Sequence, residues 1–346
     1  MTRRATPVAL ACITSAALVL AGCAGPDPDT AASPSGSTDA GASVVATTTI
    51  WGDITRQIME CAGAGEVTVL VPVGADPHDY SPSSQDVAAM VGADLLVVNG
   101  LGLEEGLEAS IESATQDGAT VFEVAPLLDP IPFGDEGEDH AKEGEDHAKE
   151  GEDHAKEGED HGHSGEDHGH SGEDPHVWLD VTRAATASAL IGAELAELTG
   201  NAAFAQCGED LQTELTTLDG EVAVTLATVP DDRRILVTDH DAFRYFAKAY
   251  DYTVAGTVIP GGSTLAEPSS AELAELTATV KDTSVSAIFA NTADPQALTE
   301  SLAAEVGDVE VVALYVGSLG GPGSGAETYQ GMMAANAQLI SDALRG

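Results

Sequence analysis

From Val44 onward the chain alternates short aliphatic, β-branched runs with longer stretches of helical period. The segment "VVATTTIWGDITRQIME" opens as a strand and turns helical, and "EVTVLVPVG" is a second strand ending in the turn "GADPHDYSPSS". A helix then a strand follow in "SQDVAAMVGADLLVVNG", and "ATVFEVAP" supplies one more short strand. Strands interleaved with helices predict a parallel α/β sheet. After "DPHVWLDV" come two long helical patterns, "TRAATASALIGAELAELTG" and "NAAFAQCGEDLQTELTTLDGEVAVTLATV", the second broken only by Gly208 and Gly220. Strand and helix then alternate again from "RRILVTDH" to the closing helix "AETYQGMMAANAQLISDALR". The simplest architecture is two α/β lobes with parallel sheets joined by a long helix. Sites in such sheets collect at the carboxyl ends of strands, which puts the chemistry in the cleft between the lobes.

Two stretches lack this pattern. At the start, Arg3 and Arg4 precede an apolar run from Val8 to Leu20, then small residues and Cys23. That run is short for a membrane span and suits a secretory signal. Its end, "VLAGC", resembles the lipobox of bacterial lipoproteins, in which Cys23 would be lipidated and become the mature N-terminus. Residues 1–22 are therefore expected to be a signal peptide and residues 23–43, rich in Pro, Gly, Ser and Asp, a lipid-anchored flexible stalk. The second stretch, residues 134–174, contains no Ile, Leu or Val and repeats every seven residues from Gly137. Its heptads hold no large apolar residue, so a coiled coil is excluded and a disordered loop inserted in the first lobe is expected. The divisions that follow are a first lobe over 44–182, linking helices over 183–230 and a second lobe over 231–346.

Charge narrows the partners. Fifty-eight acidic residues against thirteen basic ones argue against nucleic acid and acidic lipid and favour cations. Cys12 leaves with the signal and Cys23 is the lipid site, which leaves Cys61 and Cys207 for a disulfide in an oxidising compartment. Zinc ligation by this pair is disfavoured because neither stands in a CxxC spacing.

Of ten histidines, His140, His147, His154, His161, His163, His168 and His170 belong to the heptad repeat, each near Glu and Asp. A plain acidic linker has no need of them, so the repeat is expected to capture divalent metal loosely. The remaining three are His78, His176 and His240, each read as following a strand or lying at its edge. A single histidine is usually structural, but three at strand ends with none elsewhere point to one metal site. Imidazole must be neutral to bind, and three of them suit zinc, whereas manganese prefers more oxygen.

The stretches "GADPHDYSPSSQD", "DPHVWLD", "LVTDHDAFRYFAKAY", "GTVIPGGSTLAEPSSAEL" and "GSGAETYQGMMAANA" resemble the zinc/manganese solute-binding proteins of ABC importers, the ZnuA/AztC-like family. The resemblance runs from Val44 to Arg345. It implies two α/β lobes bridged by a rigid helix with metal in the cleft, His78 and His176 from the first lobe and His240 from the second. It also implies capture of zinc, or alternatively manganese, outside the cytoplasm by a monomer. Delivery would then be to a membrane permease driven by an ATPase. The sequence departs from the family where a carboxylate ligand is usual: "LYVGSLG" places Gly317 there, and Asn291 stands where relatives often have Glu. The expectation is an open three-histidine site whose fourth position is taken by water, by a carboxylate such as Glu267, or by a residue of the inserted loop. An open zinc site is also the form of a hydrolase, but the chain lacks HExxH and GxSxG, so no enzyme is expected. A surface adhesin is a secondary reading, carried by the family label alone.

Overall fold

A computed structural model describes residues 41–133, 172–307 and 309–345. The signal segment, Cys23, the stalk up to residue 40 and the seven repeat histidines lie outside the described residues. No helix among the described residues is long and apolar enough to cross a membrane.

The first lobe runs β1 (Ser43–Ala46), α1 (Thr49–Ala62), β2 (Glu66–Val69), α2 (Ser84–Gly92), β3 (Leu95–Val98), α3 (Glu108–Gln116) and β4 (Val121–Glu123). Its four strands are all parallel, in the order β2-β1-β3-β4. Leu95 to Val98 are buried on both faces, as an uninterrupted aliphatic run in a parallel sheet should be. Local chemistry marks the helix ends. Thr48 caps α1 by accepting from the Trp51 N–H, and Gly63 closes that helix in the left-handed region at φ 67°. Ser83 and Asp86 form a reciprocal capping box on α2.

The link between the sheets is two helices, α4 (Val181–Thr199) and α5 (Ala203–Leu226), in place of a single rod. They form a hairpin because Gly200 takes the left-handed conformation and ends α4. Their axes come close at Gly192 and Gly208: a Cβ on Gly208 would lie 2.6 Å from the Ser188 carbonyl oxygen and 3.0 Å from Gly192 Cα. Along its 24 residues α5 also packs on α1, to which a Cys61–Cys207 disulfide ties it with a Cα separation of 5.8 Å.

The second lobe repeats the plan: β5 (Ile235–Thr238), α6 (Arg244–Tyr250), β6 (Thr253–Thr257), α7 (Ser270–Thr283), β7 (Ala287–Asn291), α8 (Ala297–Val306), β8 (Glu310–Leu314) and α9 (Tyr329–Arg345). Its strands are again parallel, ordered β6-β5-β7-β8. One apolar core joins both lobes to the hairpin, with Trp51, Trp178, Phe204, Leu215, Phe246, Tyr329 and Met332 all fully buried. Across the lobes, buried Asp53 of α1 accepts from the Tyr329 N–H at 2.9 Å and so caps α9.

His176 does not enter a strand. Pro175 has no N–H to give a ladder, and the His176 N–H turns back to Asp174 Oδ1 at 2.9 Å. The chain winds instead into a 3₁₀ turn, Val177–Leu179, before Asp180 caps α4. The ladder signal nearby reduces to one antiparallel bridge between Pro132 and Glu173, at the stem of the insertion.

Candidate metal centre

In both sheets the strand order reverses between the two central strands, β1 and β3 in one and β5 and β7 in the other. His78 comes from the loop after β2, His240 from the turn after β5, and His176 from the segment leading into the 3₁₀ turn. The three are 3 %, 1 % and 1 % exposed. One ring nitrogen from each lies within 4.8 Å of the others. Nε2 of His78 and Nε2 of His176 are 3.3 Å apart, and the centroids of His176 and His240 are 5.2 Å apart.

Two of the rings are oriented from behind. Asp174 Oδ1 accepts from His176 Nδ1 at 2.8 Å, and Asp239 Oδ1 accepts from His240 Nδ1 at 3.1 Å. A carboxylate on Nδ1 fixes the tautomer that leaves Nε2 with its lone pair facing inward. Glu105 Oε1 stands 3.9 Å from His78 Nδ1. Nε2 of His240 is buried and has no hydrogen-bond partner, which is costly unless a ligand meets it. The Trp178 ring packs edge-on to His176 at 5.3 Å and shields it from water.

Burial holds His176 well below the ordinary imidazole range, and the charge of nearby His240 adds to this. For His240 burial pulls the same way, but the Asp239 carboxylate outweighs it and the net direction is up. Desolvation pushes Asp174 up to about 7.

The loops are themselves held. Asp76 Oδ1 takes the His78 N–H at 3.0 Å, and its Oδ2 accepts from Thr264 of the second lobe. Asn99 donates to the Pro175 carbonyl at 3.0 Å and accepts from Trp51 Nε1 at 2.9 Å. Gly317 is buried, and the space beside it is already filled: a Cβ there would lie 2.8 Å from Pro77 Cδ and 3.2 Å from Cγ. Glu267 is exposed on the loop before α7. The carboxylate the structure does bring near is Asp294, grouped with Asp239 and His240 within the same 4.8 Å limit. It accepts from Asn291 Nδ2 at 2.6 Å and shares a hydrogen bond with Asp76. Burial first, and the Asp76 and Asp239 charges after it, push Asp294 up to about 7. Sequence reasoning missed Asp294, as it missed the orienting roles of Asp174 and Asp239. The signal for the last two was present, since both stand one or two residues before a histidine.

A family model described as "Zinc-uptake complex component A periplasmic" matches residues 44–343. The manganese-binding lipoprotein MntA of Halalkalibacterium halodurans is 28 % identical, with 95 % of each chain covered. The zinc-binding protein TroA of Treponema pallidum is 29 % identical over 89 % of this chain and 92 % of its own. A solved structure of the periplasmic zinc-binding protein TroA superposes with a TM-score of 0.70 at 27 % identity, covering 88 % of this chain and all of that one.

Proposed function

We propose, because this chain belongs to the ZnuA family of metal ABC transporter substrate-binding proteins and is not an enzyme, that its cargo is zinc held by His78, His176 and His240. The observation that carries this reading is the convergence of three buried imidazoles with no side chain at Gly317. Two nitrogens each about 2.0–2.1 Å from a tetrahedral zinc stand about 3.3 Å apart, and the Nε2 atoms of His78 and His176 have that spacing. An all-nitrogen set suits zinc better than manganese, which favours oxygen donors. Pro77 crowds the space a Cβ at 317 would need, and Asp294 is engaged with Asp76 and Asn291, so water completes the shell.

The rest of the proposal follows the sequence. The chain is lipidated at Cys23, works as a monomer outside the cytoplasm, and presents the loaded cleft to its permease and ATPase. The lobes divide as 44–182 and 231–346 about the hairpin of 183–230. The histidine repeat captures zinc weakly and raises its concentration near the cleft, an effect that needs no second tight site.

The test is competitive titration of the chain and of His240→Ala against a chromophoric chelator, with zinc and manganese in parallel. One zinc per chain, preferred over manganese and lost in His240→Ala, is expected. Tight manganese binding, or zinc binding indifferent to His240, would refute it. Deleting residues 137–172 is expected to leave that stoichiometry at one while slowing uptake at scarce zinc.

A further inference from the structure

The histidine repeat leaves and re-enters the fold through a short stem, and its two sides are joined by a side chain from the other lobe. Asp174 N donates to the Ile131 carbonyl at 2.7 Å, and Phe133 N donates to the Gly172 carbonyl at 3.0 Å. Tyr245, the second residue of α6, sets its hydroxyl on that stem. Its oxygen accepts from the Ile131 N–H at 3.0 Å, and its proton goes to the Asp174 carbonyl at 2.7 Å. The ring is 1 % exposed, with the Arg183 guanidinium 4.8 Å above its centroid. Arg183 in turn donates to the carbonyls of Leu128 and Asp129, on the same approach to the stem.

These contacts form a ring of connections with one gap. Asp174 orients His176 through Oδ1 and is held by Tyr245 through its carbonyl; Tyr245 lies on the helix that follows His240. The Ala242 N–H donates to the His240 carbonyl at 3.0 Å, which completes the path. Between the two imidazoles no hydrogen bond is seen among the described residues: His240 Nε2 has no partner there. A phenylalanine at 245 would fill the same core volume, so the hydroxyl's contribution lies in its two hydrogen bonds.

We propose that Tyr245 is a positioning residue for metal binding: its hydroxyl clasps the insertion's stem to the second lobe and so fixes His176 opposite His240. A cation bridging the two imidazoles and the Tyr245 clasp then support each other, and by thermodynamic reciprocity each strengthens the other equally. This rests on the ligand reading above.

Tyr245→Phe in the full chain is the test, read as the rate of zinc loss to excess chelator. The control is Tyr252→Phe, which removes another buried hydroxyl of the same lobe, bonded to the Leu226 carbonyl at 3.1 Å, away from the site. With the coupling falling on dissociation, zinc is expected to leave Tyr245→Phe about fivefold to 150-fold faster, the span of ordinary coupling energies. Tyr252→Phe is expected to release it at the unmodified rate. Equal rates in all three, or equal acceleration in both variants, would overturn the clasp. A second measurement needs no variant: the Ile131 amide is expected to exchange its hydrogen more slowly with zinc bound than without, and equal exchange would overturn the clasp as well. An unmodified chain that holds no zinc would overturn the ligand assignment and the clasp with it; one that holds zinc while Tyr245→Phe releases it normally would overturn the clasp alone.

Discussion

Placing an aspartate at position 317 is expected to weaken zinc binding. A Cβ on residue 317 meets Pro77 Cδ at 2.8 Å and Cγ at 3.2 Å, where carbon atoms prefer about 3.5–4.0 Å. Pro77 cannot swing aside, because its Cδ is bonded to its own backbone nitrogen. The backbone has to yield by about 0.7 Å to reach the near edge of that range, and the residue that moves with it is His78. Overpacking of this size costs about 1–3 kcal/mol, roughly 5- to 150-fold in affinity if it falls on the loaded state. Gly317→Ala carries the same Cβ without the charge and is expected to lose a similar factor. Pro77→Ala removes the colliding atoms, so Gly317→Asp with Pro77→Ala is expected to recover zinc affinity and to gain manganese affinity through the added oxygen. The assay is a double-mutant cycle of chelator-competition titrations with both metals, alongside thermal melts. Tighter zinc binding by Gly317→Asp alone, with an unchanged melt, would refute the steric reasoning.

Protons compete with the metal for imidazole, and the sign here is set by His240. Its folded pKa is raised, so zinc affinity is expected to start falling above the ordinary value of 6.5 and to drop about tenfold per pH unit below its pKa; His176, held well below that value, adds little until far lower pH. Titrations between pH 8 and 5 read this directly, and a flat profile would contradict a site made of imidazoles. Cys61→Ser opens a disulfide spanning 146 residues and is expected to cost about 2–5 kcal/mol in chemical denaturation while leaving zinc stoichiometry at one. Gly208→Ala inserts a methyl 2.6 Å from the Ser188 carbonyl oxygen and is expected to lower the melting temperature by an overpacking cost of about 1–3 kcal/mol; an unchanged melt would mean α4 and α5 are not held at that distance.

The sheets were legible because parallel strands buried on both faces read as aliphatic runs, of which Leu95 to Val98 is the clearest. The three histidines were legible for a different reason: the body of the chain spends histidine nowhere else. Helix α3 was missed, since "EASIESATQ" buries only Ala114 and shows no apolar stripe. The turn at His176 was misread because Val177, Trp178 and Leu179 look like a strand, and only the Asp174 side chain reveals that their predecessor's N–H is spent locally. Asp294 and Tyr245 act through contacts with the other lobe, with Asp76, Ile131 and Asp174, and no local pattern announces a partner 71 or more residues away.

Each lobe closes its own four-stranded parallel sheet, and the three histidines stand on loops that neither sheet needs for its ladder. In evolutionary terms the frame and the site can therefore drift at different rates. Residue 317 and its neighbour Pro77 lie in loops, so either can change without disturbing a single strand pairing. On such a scaffold the preferred cargo can change by one loop residue at a time, while the carrier that the permease must recognise stays the same.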